Sequence, residues 1–476
     1  MIKYYFIGVL NMKNCDILIA GASTTGSYFA YQMAKRGFKV VVIEKQEKDN
    51  ISREYDIFHM GREDMEKFDL EIPDKENTGV YGFEFASTAV VSPYGNYPKR
   101  THEAVVGMHK HEYIMTMIDR AEKAGAEYIY GAPFKDFIYD EKGKIIGSKY
   151  ETEDGTQEIY SKLVADCTGI PSAARTKLPD TSYVENFRLT PKDIFYVVLY
   201  YAKYKDESVD PKKLHGSFLQ YKTWSAPSGD EHGAILGVGG NYSYEYAEEI
   251  YKDFRKNVPW PEYTVEKVEK GMTPYHRGIY CFTEDGFIAL GDTACLTKPN
   301  CGEGCTSSLY QVEIAVDVIS ELLREGKELS QRNMWSINKR YIDVQGKAFD
   351  SMRPLLTGIV QASYDEAEYL FKKDIIFSQK ILGGMGQDLA LSAKDIAELV
   401  SGIASGIVTK KIRPSTIKKI VKGLLDSDKV GKHYDTYPET PDGFPEWKKK
   451  ADEIWATTTF MYETADKDVM KKLGIG

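Results

Sequence analysis

The chain has 476 residues, 42% of them apolar, and a formal net charge of −9. That length is enough for two or three globular domains, each with its own core. The acidic balance gives no basic footprint, so nucleic acid is not an expected partner. The 6 cysteines are spread unevenly over a long chain, which indicates free thiols in a reducing cytoplasm rather than a disulfide framework.

No apolar run approaches the roughly 18 residues that a membrane-spanning helix needs. The chain opens with MIKYYFIGVL, a short apolar run with one lysine that lacks the small-residue cleavage site of a signal peptide. We interpret it as an extension, or as a start assigned upstream of Met12. The sequence therefore predicts a cytoplasmic protein.

The residues from Cys15 to Glu44 predict a βαβ unit. An apolar run at 17–20, too short for a helix, leads through the turn GASTTG to a segment of helical spacing, and a second apolar run lies at 40–43. In such a unit the free N–H groups that begin the helix can bind a diphosphate. Gly21 permits the tight turn, and Gly26 allows close packing of the helix. The expected diphosphate contacts are Gly21, Ser23, Thr24, Thr25 and Gly26.

Glu44 ends the second strand at about the 20-residue offset of an acid that binds ribose hydroxyls. One position departs from the glycine-rich pattern, because Ser23 stands where the middle glycine usually lies. A serine Cβ crowds a diphosphate at that point. An ordinary βαβ turn without a nucleotide is therefore the alternative interpretation.

Between this unit and residue 169 the pattern is that of a second sheet and then a meander. The predicted elements are a charged loop and short helix (46–78), strands (80–91), a helix (113–124) and a hairpin (134–138 with 145–150). A further turn at Asp154-Gly155 leads to an apolar strand that ends in Asp-Cys-Thr-Gly. Because this strand is hydrophobic on both faces, we expect it to return to the first sheet. Any buried strand that meets a turn is the alternative.

The most specific signal is a short apolar strand ending in Gly-Asp, with Asp292 as its carboxylate. It runs through the loop KPNCGEG into a long helix predicted over 306–323. A carboxylate at a strand end accepts hydrogen bonds from sugar-alcohol hydroxyls. The glycines let the backbone approach a flat ring, and the helix behind them favours negative charge. The loop contacts expected here are Pro299, Gly302 and Gly304.

These stretches, GASTTGS with Glu44, VADCTGIPSAAR and GFIALGDTACLTKPNCGEG, resemble those of FAD-dependent oxidoreductases with the p-hydroxybenzoate hydroxylase type of fold. Within that superfamily the chain is most similar to the geranylgeranyl reductase family, over roughly residues 13 to 345. The segment YKTWSAP resembles the family's substrate-pocket motif Tyr-x-Trp-x-Phe-Pro, through Tyr221, Trp224 and Pro227. Tyr221 lies one residue further from Trp224 than the motif requires, and Ala226 replaces the phenylalanine.

The resemblance implies an α/β fold with FAD as cofactor. A discontinuous Rossmann-like FAD-binding domain would comprise residues 13–50, 105–180 and 280–330. An interleaved antiparallel-sheet substrate domain would comprise 75–104 and 185–275, and a C-terminal helical region would comprise 331–476. Lys110 stands where relatives often have an arginine beginning the helix beside the flavin.

The same resemblance implies hydride transfer from reduced FAD to a carbon–carbon double bond of an isoprenoid or another apolar unsaturated substrate. Two alternatives are an FAD-dependent monooxygenase acting on aromatics or quinones, and a flavin-holding binding protein without turnover. Hydroxylases of this type usually carry an Asp-Gly pair that helps bind NAD(P)H. Here Asp166 is followed by Cys-Thr-Gly, which favours a reductase. No second dinucleotide fingerprint is present in the sequence, which leaves NAD(P)H and ferredoxin as candidate electron donors. The sequence does not indicate the oligomeric state.

Two residues are candidates for acid–base or redox chemistry. Cys301 lies in the Gly-Asp loop near a helix N-terminus, where a thiol pKa falls, and His276 precedes the Gly-Asp strand. A buried inert thiol and a hydrogen-bonded structural histidine are the alternatives. The spacing of Cys295, Cys301 and Cys305 fits no familiar iron–sulfur or zinc pattern, so no metal is predicted.

The segment 403–425 has Ile, Val and Leu at helical spacing, with lysines interleaved. Such a basic amphipathic helix can lie on a membrane surface and meet a lipid substrate there. A surface helix that covers core is the alternative. Peripheral membrane contact is therefore one of two interpretations of this segment.

Overall fold

The computed structural model describes residues 13–375 and 393–475, so the opening extension lies outside the described residues. The strands are β1 (Lys13–Ala20), β2 (Val40–Ile43), β3 (Ile57–Gly61), β4 (Tyr81–Val90), β5 (Lys99–His109), β6 (Glu127–Ile129), β7 (Phe134–Tyr139), β8 (Ile145–Thr152), β9 (Gly155–Asp166), β10 (Ile194–Tyr204), β11 (Gly216–Phe218), β12 (Thr223–Pro227), β13 (Gly233–Asn241), β14 (Tyr263–Pro274), β15 (Thr283–Glu284) and β16 (Phe287–Ala289). The helices are α1 (Thr24–Lys35), α2 (Arg62–Lys67), α3 (Lys110–Lys123), α4 (Tyr244–Asn257), α5 (Cys305–Arg324), α6 (Gln331–Tyr341), α7 (Lys347–Ile359), α8 (Tyr364–Lys372), α9 (Ala393–Val408), α10 (Pro414–Tyr434), α11 (Phe444–Trp455) and α12 (Lys467–Lys472).

The first sheet is parallel through the strand order β16-β9-β1-β2-β6, and β8 and β7 extend it antiparallel beside β9. Its central strands are apolar on both faces and fully buried, as parallel strands covered by helices on each side must be. Ile17 pairs with Val40 on one side and with Leu163 on the other. The predicted βαβ unit, the meander and the return of the 163–165 strand to this sheet are confirmed.

The second sheet has eight strands in the order β14-β10-β13-β12-β11-β4-β5-β3. All its pairings are antiparallel except that of β11 with β4. It starts earlier than the sequence indicated, because β3 forms within the charged segment 46–78 that was predicted to be a loop and short helix. Ile57 and Met60 of β3 are buried, and this short apolar run is too sparse among charges to signal a strand.

The two faces of the second sheet have different surroundings. Helix α4 covers one face, where Val198, Leu236 and Phe254 share a buried cluster. The opposite face carries Leu199, Ile235 and other buried residues, together with half-buried aromatic side chains. Side chains alternate along each strand, so neighbouring residues belong to different faces.

The C-terminal region is helical, as predicted, from α6 onward. The prediction of one continuous helix over 403–425 is wrong, because α9 ends at Val408 and α10 begins at Pro414. Proline lacks the N–H that an interior helical position needs, whereas the first turn tolerates it. Helix α10 packs closely on α7, where a Cβ on Gly423 would lie 2.6 Å from the Pro354 carbonyl oxygen. Within the described ranges, no helix is long and apolar enough to cross a bilayer.

Candidate active site

The turn between β1 and α1 has no room for side chains at its two glycines. Gly21 has φ +104°, and a Cβ there would lie 2.4 Å from the carbonyl oxygen of Cys167. A Cβ on Gly26 would lie 1.9 Å from the carbonyl oxygen of Gly21. Ser23 is the N-cap of α1 but makes no capping bond with its side chain; its hydroxyl lies 3.0 Å from that of Ser52. The backbone N–H groups of the first helical turn therefore face outward from a tightly packed cradle.

Glu44 holds this turn in place. One carboxylate oxygen accepts a hydrogen bond of 2.8 Å from the N–H of Ala22, and the other accepts one of 2.9 Å from the N–H of Gln46. The side chain is buried. The strand end and the glycine turn are thus joined by a carboxylate at the position expected of a ribose-binding acid.

Asp166, at the end of β9, organises the second loop that meets the turn. Its fully buried carboxylate accepts hydrogen bonds from the N–H groups of Thr168, Ala174 and Arg175, at 2.9, 3.0 and 2.6 Å. It also accepts one from the Thr168 hydroxyl at 2.7 Å. This role of Asp166 was not predicted from the sequence, where a lone aspartate at a strand end was the only signal for it.

The Gly-Asp segment packs directly against the first turn. Gly291 has φ +73°, and a Cβ there would come within 2.6 Å of the Thr25 hydroxyl oxygen. Burial raises the pKa of Asp292 to about 6, although the positive charge of Lys110 acts to lower it. A Cβ on Gly304 would lie 2.7 Å from a carboxylate oxygen of Asp292. This leaves a desolvated carboxylate beside a loop that brings its backbone close, which suits the hydroxyls of a bound sugar alcohol.

The loop between the Gly-Asp segment and α5 is fixed from both ends. Lys298 and Glu303 are joined by a backbone hydrogen bond of 2.7 Å, and the hydroxyl of Tyr275 donates to the Pro299 carbonyl at 2.7 Å. Gly302 has φ +76°. Helix α5 then begins at Cys305 with no side-chain cap on its N-terminus. The predicted helix over 306–323 is confirmed, and its free N–H groups point back toward the loop.

The C-terminal region supports the same loop, which the sequence did not reveal. Arg353 donates to the Thr297 carbonyl at 3.0 Å and to Asp350 at 3.0 Å. Tyr434 donates to the other oxygen of Asp350 at 2.7 Å. All three side chains are buried. Two helices far along the chain therefore hold the backbone just before Pro299.

Lys110 is the first residue of α3 and is buried. It pairs with Glu54, and its ammonium lies 3.9 Å from the ring centroid of Tyr55. Burial disfavours the charged form, but Tyr55 and Glu54 outweigh it and raise the pKa of Lys110. A buried cation is therefore held close enough to Asp292 to act on its carboxylate.

The three cysteines near the loop differ in access. Cys295 is fully buried, and burial raises its pKa to about 12. Burial also raises the pKa of Cys305, whose sulfur lies 3.5 Å from the sulfur of Met60. Cys301 is exposed, so its proposed proton or redox role stays a prediction. Among the described residues no group of His, Cys, Asp and Glu could hold a metal ion.

His276 makes the contacts of a structural histidine. Its Nδ1 lies 2.9 Å from the Arg277 carbonyl oxygen, and its ring packs at 4.6 Å from that of Phe187. Burial, reinforced by Arg277, lowers the pKa of His276 to about 4. The ring is therefore neutral at physiological pH, which speaks against a role as an imidazolium proton donor.

The segment leading into β12 divides the residues that the sequence grouped as a substrate pocket. Tyr221 is fully buried on the α4 side, with its ring 5.7 Å from that of Phe254. Trp224 lies on the opposite face, and a Cβ on Gly237 would lie 2.2 Å from its indole. Because side chains alternate along β12, Pro227 belongs to the α4 side. Of the three, only Trp224 lies on the side of the sheet away from α4, which we call the open face because α4 does not cover it.

Lys222 shares that open face and was missed. Its ammonium lies 5.5 Å from the ring centroid of Phe195, which stacks on Tyr275 at 3.9 Å. The signal was available in the motif spacing: two residues before Trp224, the chain has Lys222 and not Tyr221. This face thus carries Lys222 among aromatic rings and glycines, and it adjoins the loop through Tyr275 and Pro299.

Comparison with known proteins agrees with this architecture. Residues 14–206 match the family model described as an FAD binding domain. The digeranylgeranylglycerophospholipid reductase of Sulfolobus acidocaldarius is 23% identical over 456 residues, covering 92% of this chain and 97% of that protein. A second such reductase, from Methanopyrus kandleri, is 23% identical and covers 86% of this chain and 99% of its own length.

Solved structures share the fold. A geranylgeranyl bacteriochlorophyll reductase-like protein from Thermoplasma acidophilum superposes with a TM-score of 0.67 at 19% identity, covering 87% of this chain and 100% of that one. A probable FAD-dependent monooxygenase from Pseudomonas aeruginosa gives 0.55 at 15% identity, with coverage of 78% and 99%. The candidate site therefore lies in an FAD-binding fold, and FAD is the cofactor that its glycine cradle fits.

Proposed function

Because the chain belongs to the geranylgeranyl reductase family of FAD-dependent oxidoreductases, we propose that it reduces carbon–carbon double bonds of an isoprenoid substrate. The observation that carries this proposal is the open face of the second sheet. On that face the indole of Trp224 lies over Gly237 and the ring of Phe195 lies beside Gly239. Phe195 stacks on Tyr275, whose hydroxyl donates to the Pro299 carbonyl of the Gly-Asp loop. An extended apolar chain fits such a surface, because it buries hydrocarbon without requiring polar partners.

The residues of the cradle would hold the cofactor along its whole length. The turn glycines and the first N–H groups of α1 bind the diphosphate, and Glu44 binds the adenosine ribose. Asp292 accepts from a ribityl hydroxyl. Lys110 and the N-terminus of α5 favour negative charge near the ring. The contacts proposed for FAD are Gly21, Ser23, Thr24, Thr25, Gly26, Glu44, Lys110, Asp292, Pro299, Gly302 and Gly304.

Bound and reduced, FAD supplies a hydride. The chain would contribute position and exclusion of water: Trp224 and Phe195 would orient the apolar substrate, and the loop around Pro299 would hold the flavin. Cys301, exposed in that loop, is the thiol best placed by sequence to supply or relay a proton. The electron donor, NAD(P)H or a ferredoxin, acts before this step.

Anaerobic reoxidation tests the proposal. The protein is loaded with FAD, reduced with dithionite under argon, and mixed with a polyprenyl lipid or a quinone while the flavin band near 450 nm is followed. Recovery of the band with an unsaturated polyprenyl lipid, and not with its saturated analogue, is the expected result. Reoxidation only after O₂ is admitted, with a hydroxylated aromatic product, would favour the monooxygenase alternative. A protein inert to every acceptor would favour the binding-protein alternative.

We further propose that the C-terminal helices contact an anionic membrane surface. Val408 and Leu425 are 82% and 58% exposed, and Val421 and Leu424 lie beside Leu425 at helical spacing. The chain as a whole carries −9, yet basic residues concentrate here. Arg413 and Lys422 pair with carboxylates. In the described part of the chain, four lysines of this region form no ion pair: Lys410, Lys411, Lys418 and Lys419.

Exposed apolar side chains with unpaired lysines around them match the chemistry of an anionic lipid surface. Sedimentation with vesicles tests this contact. Binding is expected to phosphatidylglycerol vesicles, to weaken as salt rises, and to be lost in the double variant V408D/L425D. The variant V265D is the control, since Val265 is 47% exposed on β14 and lies outside these helices. Equal binding to phosphatidylcholine vesicles, or binding unaffected by the double variant, would contradict the contact.

A further inference from the structure

Strand β14 forms one edge of the second sheet. It has 12 residues, about twice the common length of a strand, and β10 is the only strand among the described residues that pairs with it. In an antiparallel pair, alternate residues direct their N–H and C=O groups to the neighbouring strand, so the other residues of β14 direct theirs outward. This edge therefore offers a long row of backbone donors and acceptors to one more strand.

One face of this edge carries a stripe of apolar side chains. Val265, Val268 and Met272 are 47%, 49% and 47% exposed. Val268 pairs with Tyr200 of β10, and Met272 pairs with Tyr196. Both tyrosine rings contact aromatic rings of α4, so the stripe continues the face that α4 covers. Apolar side chains grouped at a sheet edge are typical of a surface that contacts another protein.

The charged residues of β14 are arranged symmetrically, with opposite signs, about Val268. The sequence from 266 to 270 is Glu-Lys-Val-Glu-Lys. Antiparallel pairing with a second copy, about a twofold axis through Val268, places Lys267 of each copy opposite Glu269 of the other. It also places Glu266 opposite Lys270. Opposite charges that face each other across a strand pair are stabilising, so the strand is complementary to itself in this register.

The neighbouring registers lack this complementarity. Facing residues must lie on the same side of the sheet, so the axis can move only by whole residues. An axis through Lys267 would place two lysines directly opposite each other, and an axis through Glu269 would do the same with two glutamates. Like charges in those positions are destabilising. The bulge of β14 lies beside Tyr201 and Ala202, and residues 267–274 pair with β10 without interruption.

We propose that β14 pairs antiparallel with β14 of a second copy of this chain, about a twofold axis through Val268, and that the protein is a homodimer. Backbone hydrogen bonds would join the two sheets, and the charged pairs would select the register. The apolar stripes of the two copies would meet at the axis. The inference goes beyond the proposed function, because it concerns the sheet edge and neither the substrate nor the cofactor contacts.

Sedimentation velocity of the FAD-loaded protein, from about 1 μM to about 100 μM, tests this contact. The wild type should reach twice the mass of the chain. V268D and V268K should each dimerise about 10-fold more weakly or not at all, because two like charges then face each other on the axis. An equimolar mixture of V268D and V268K should recover the dimer, since an aspartate then faces a lysine. That recovery requires the two positions 268 to meet.

V344D is the matched control. Val344 is 52% exposed and lies between α6 and α7, away from this edge, so the variant should dimerise like the wild type. Unchanged FAD content and circular dichroism show that each variant is folded. A wild type that stays monomeric, or that associates beyond two chains, would overturn the inference. A dimer that survives in V268D and V268K, or one that their mixture does not recover, would also overturn it.

Discussion

The two parts of the proposed site, the nucleotide end that would hold FAD and the open face that would hold the substrate, depend on the sequence in different ways. At the nucleotide end, Gly21, Gly26 and Glu44 lie close together in the chain, and their contacts are set by one βαβ unit. At the open face, Phe195 and Lys222 meet through strand pairing across the second sheet. The spacing of residues within one segment is therefore enough to predict the nucleotide end. At the open face it is not enough, because a shift of one residue along a strand moves a side chain to the other face of the sheet.

The largest effect is expected at the nucleotide end, from Gly26→Ala. The added methyl group would lie 1.9 Å from the Gly21 carbonyl oxygen, so the turn and α1 must separate. FAD content, measured from the flavin absorbance of purified protein, should fall to near zero, a loss of affinity of about 100-fold or more. Gly79→Ala is the control, because the nearest atom to its Cβ would lie 3.6 Å away. Stoichiometric FAD in the Gly26 variant would show that the turn is not the cradle.

Asp166 tests how much of the nucleotide end depends on a buried carboxylate. In Asp166→Asn an amide group replaces an oxygen that accepts from backbone N–H groups at 2.6 and 3.0 Å. We expect the free energy of unfolding in urea to fall by about 3 kcal/mol. Asp154→Asn, in an exposed hairpin turn, should change it by less than about 0.5 kcal/mol. Similar values for the two variants would contradict the role of Asp166.

Asp292 lies between the two ends, and its effect depends on pH. Burial raises its pKa to about 6, above the value of an unfolded aspartate, so the folded chain holds the proton more tightly. In protein stripped of FAD, the wild type should lose stability relative to Asp292→Asn as pH rises from about 4 to about 6, on the order of 2 kcal/mol. Above that range the difference should stay constant. Urea unfolding at pH 4, 6 and 8 checks this, and a pH-independent difference would count against the desolvated carboxylate.

The smallest effects are expected from substitutions at Tyr221 and Trp224, whose side chains lie on opposite faces of the second sheet. Trp224→Ala should weaken polyprenyl binding by about 10-fold, since a large aromatic surface is lost from the open face. Tyr221→Phe should leave binding unchanged, because the Tyr221 hydroxyl is buried without a partner on the α4 side. Dialysis with geranylgeraniol measures both. A greater loss from the tyrosine variant would reverse the assignment of the faces.

The elements that the sequence predicted are those with a local hydrophobic period. The βαβ unit, the meander and α5 each arise from residues within one segment, and the fold class is set by their order. The helix predicted over 403–425 failed because its period continues across Pro414 while its backbone cannot. β3 was missed because its few apolar residues lie among charges.

The parts of the site that were not predicted depend on distant contacts. Arg353 supports the loop before Pro299 from a helix with no motif of its own. Tyr221 was placed in the pocket because its residue type fits the family motif; its ring is buried on the α4 side, whereas the ammonium of Lys222 lies over Phe195 on the opposite face. Strand register and tertiary packing decide which side chains face the proposed site. Neither can be predicted from the spacing of residues within one segment.

The mass of the product tests the central claim most directly. The reduced, FAD-loaded protein is incubated under argon with an unsaturated isoprenoid, and the extracted lipid is analysed by mass spectrometry. The account predicts a gain of two hydrogen atoms for each double bond reduced, with no oxygen incorporated. Unchanged lipid under argon, together with a product that gains one oxygen atom when air is admitted, would contradict it.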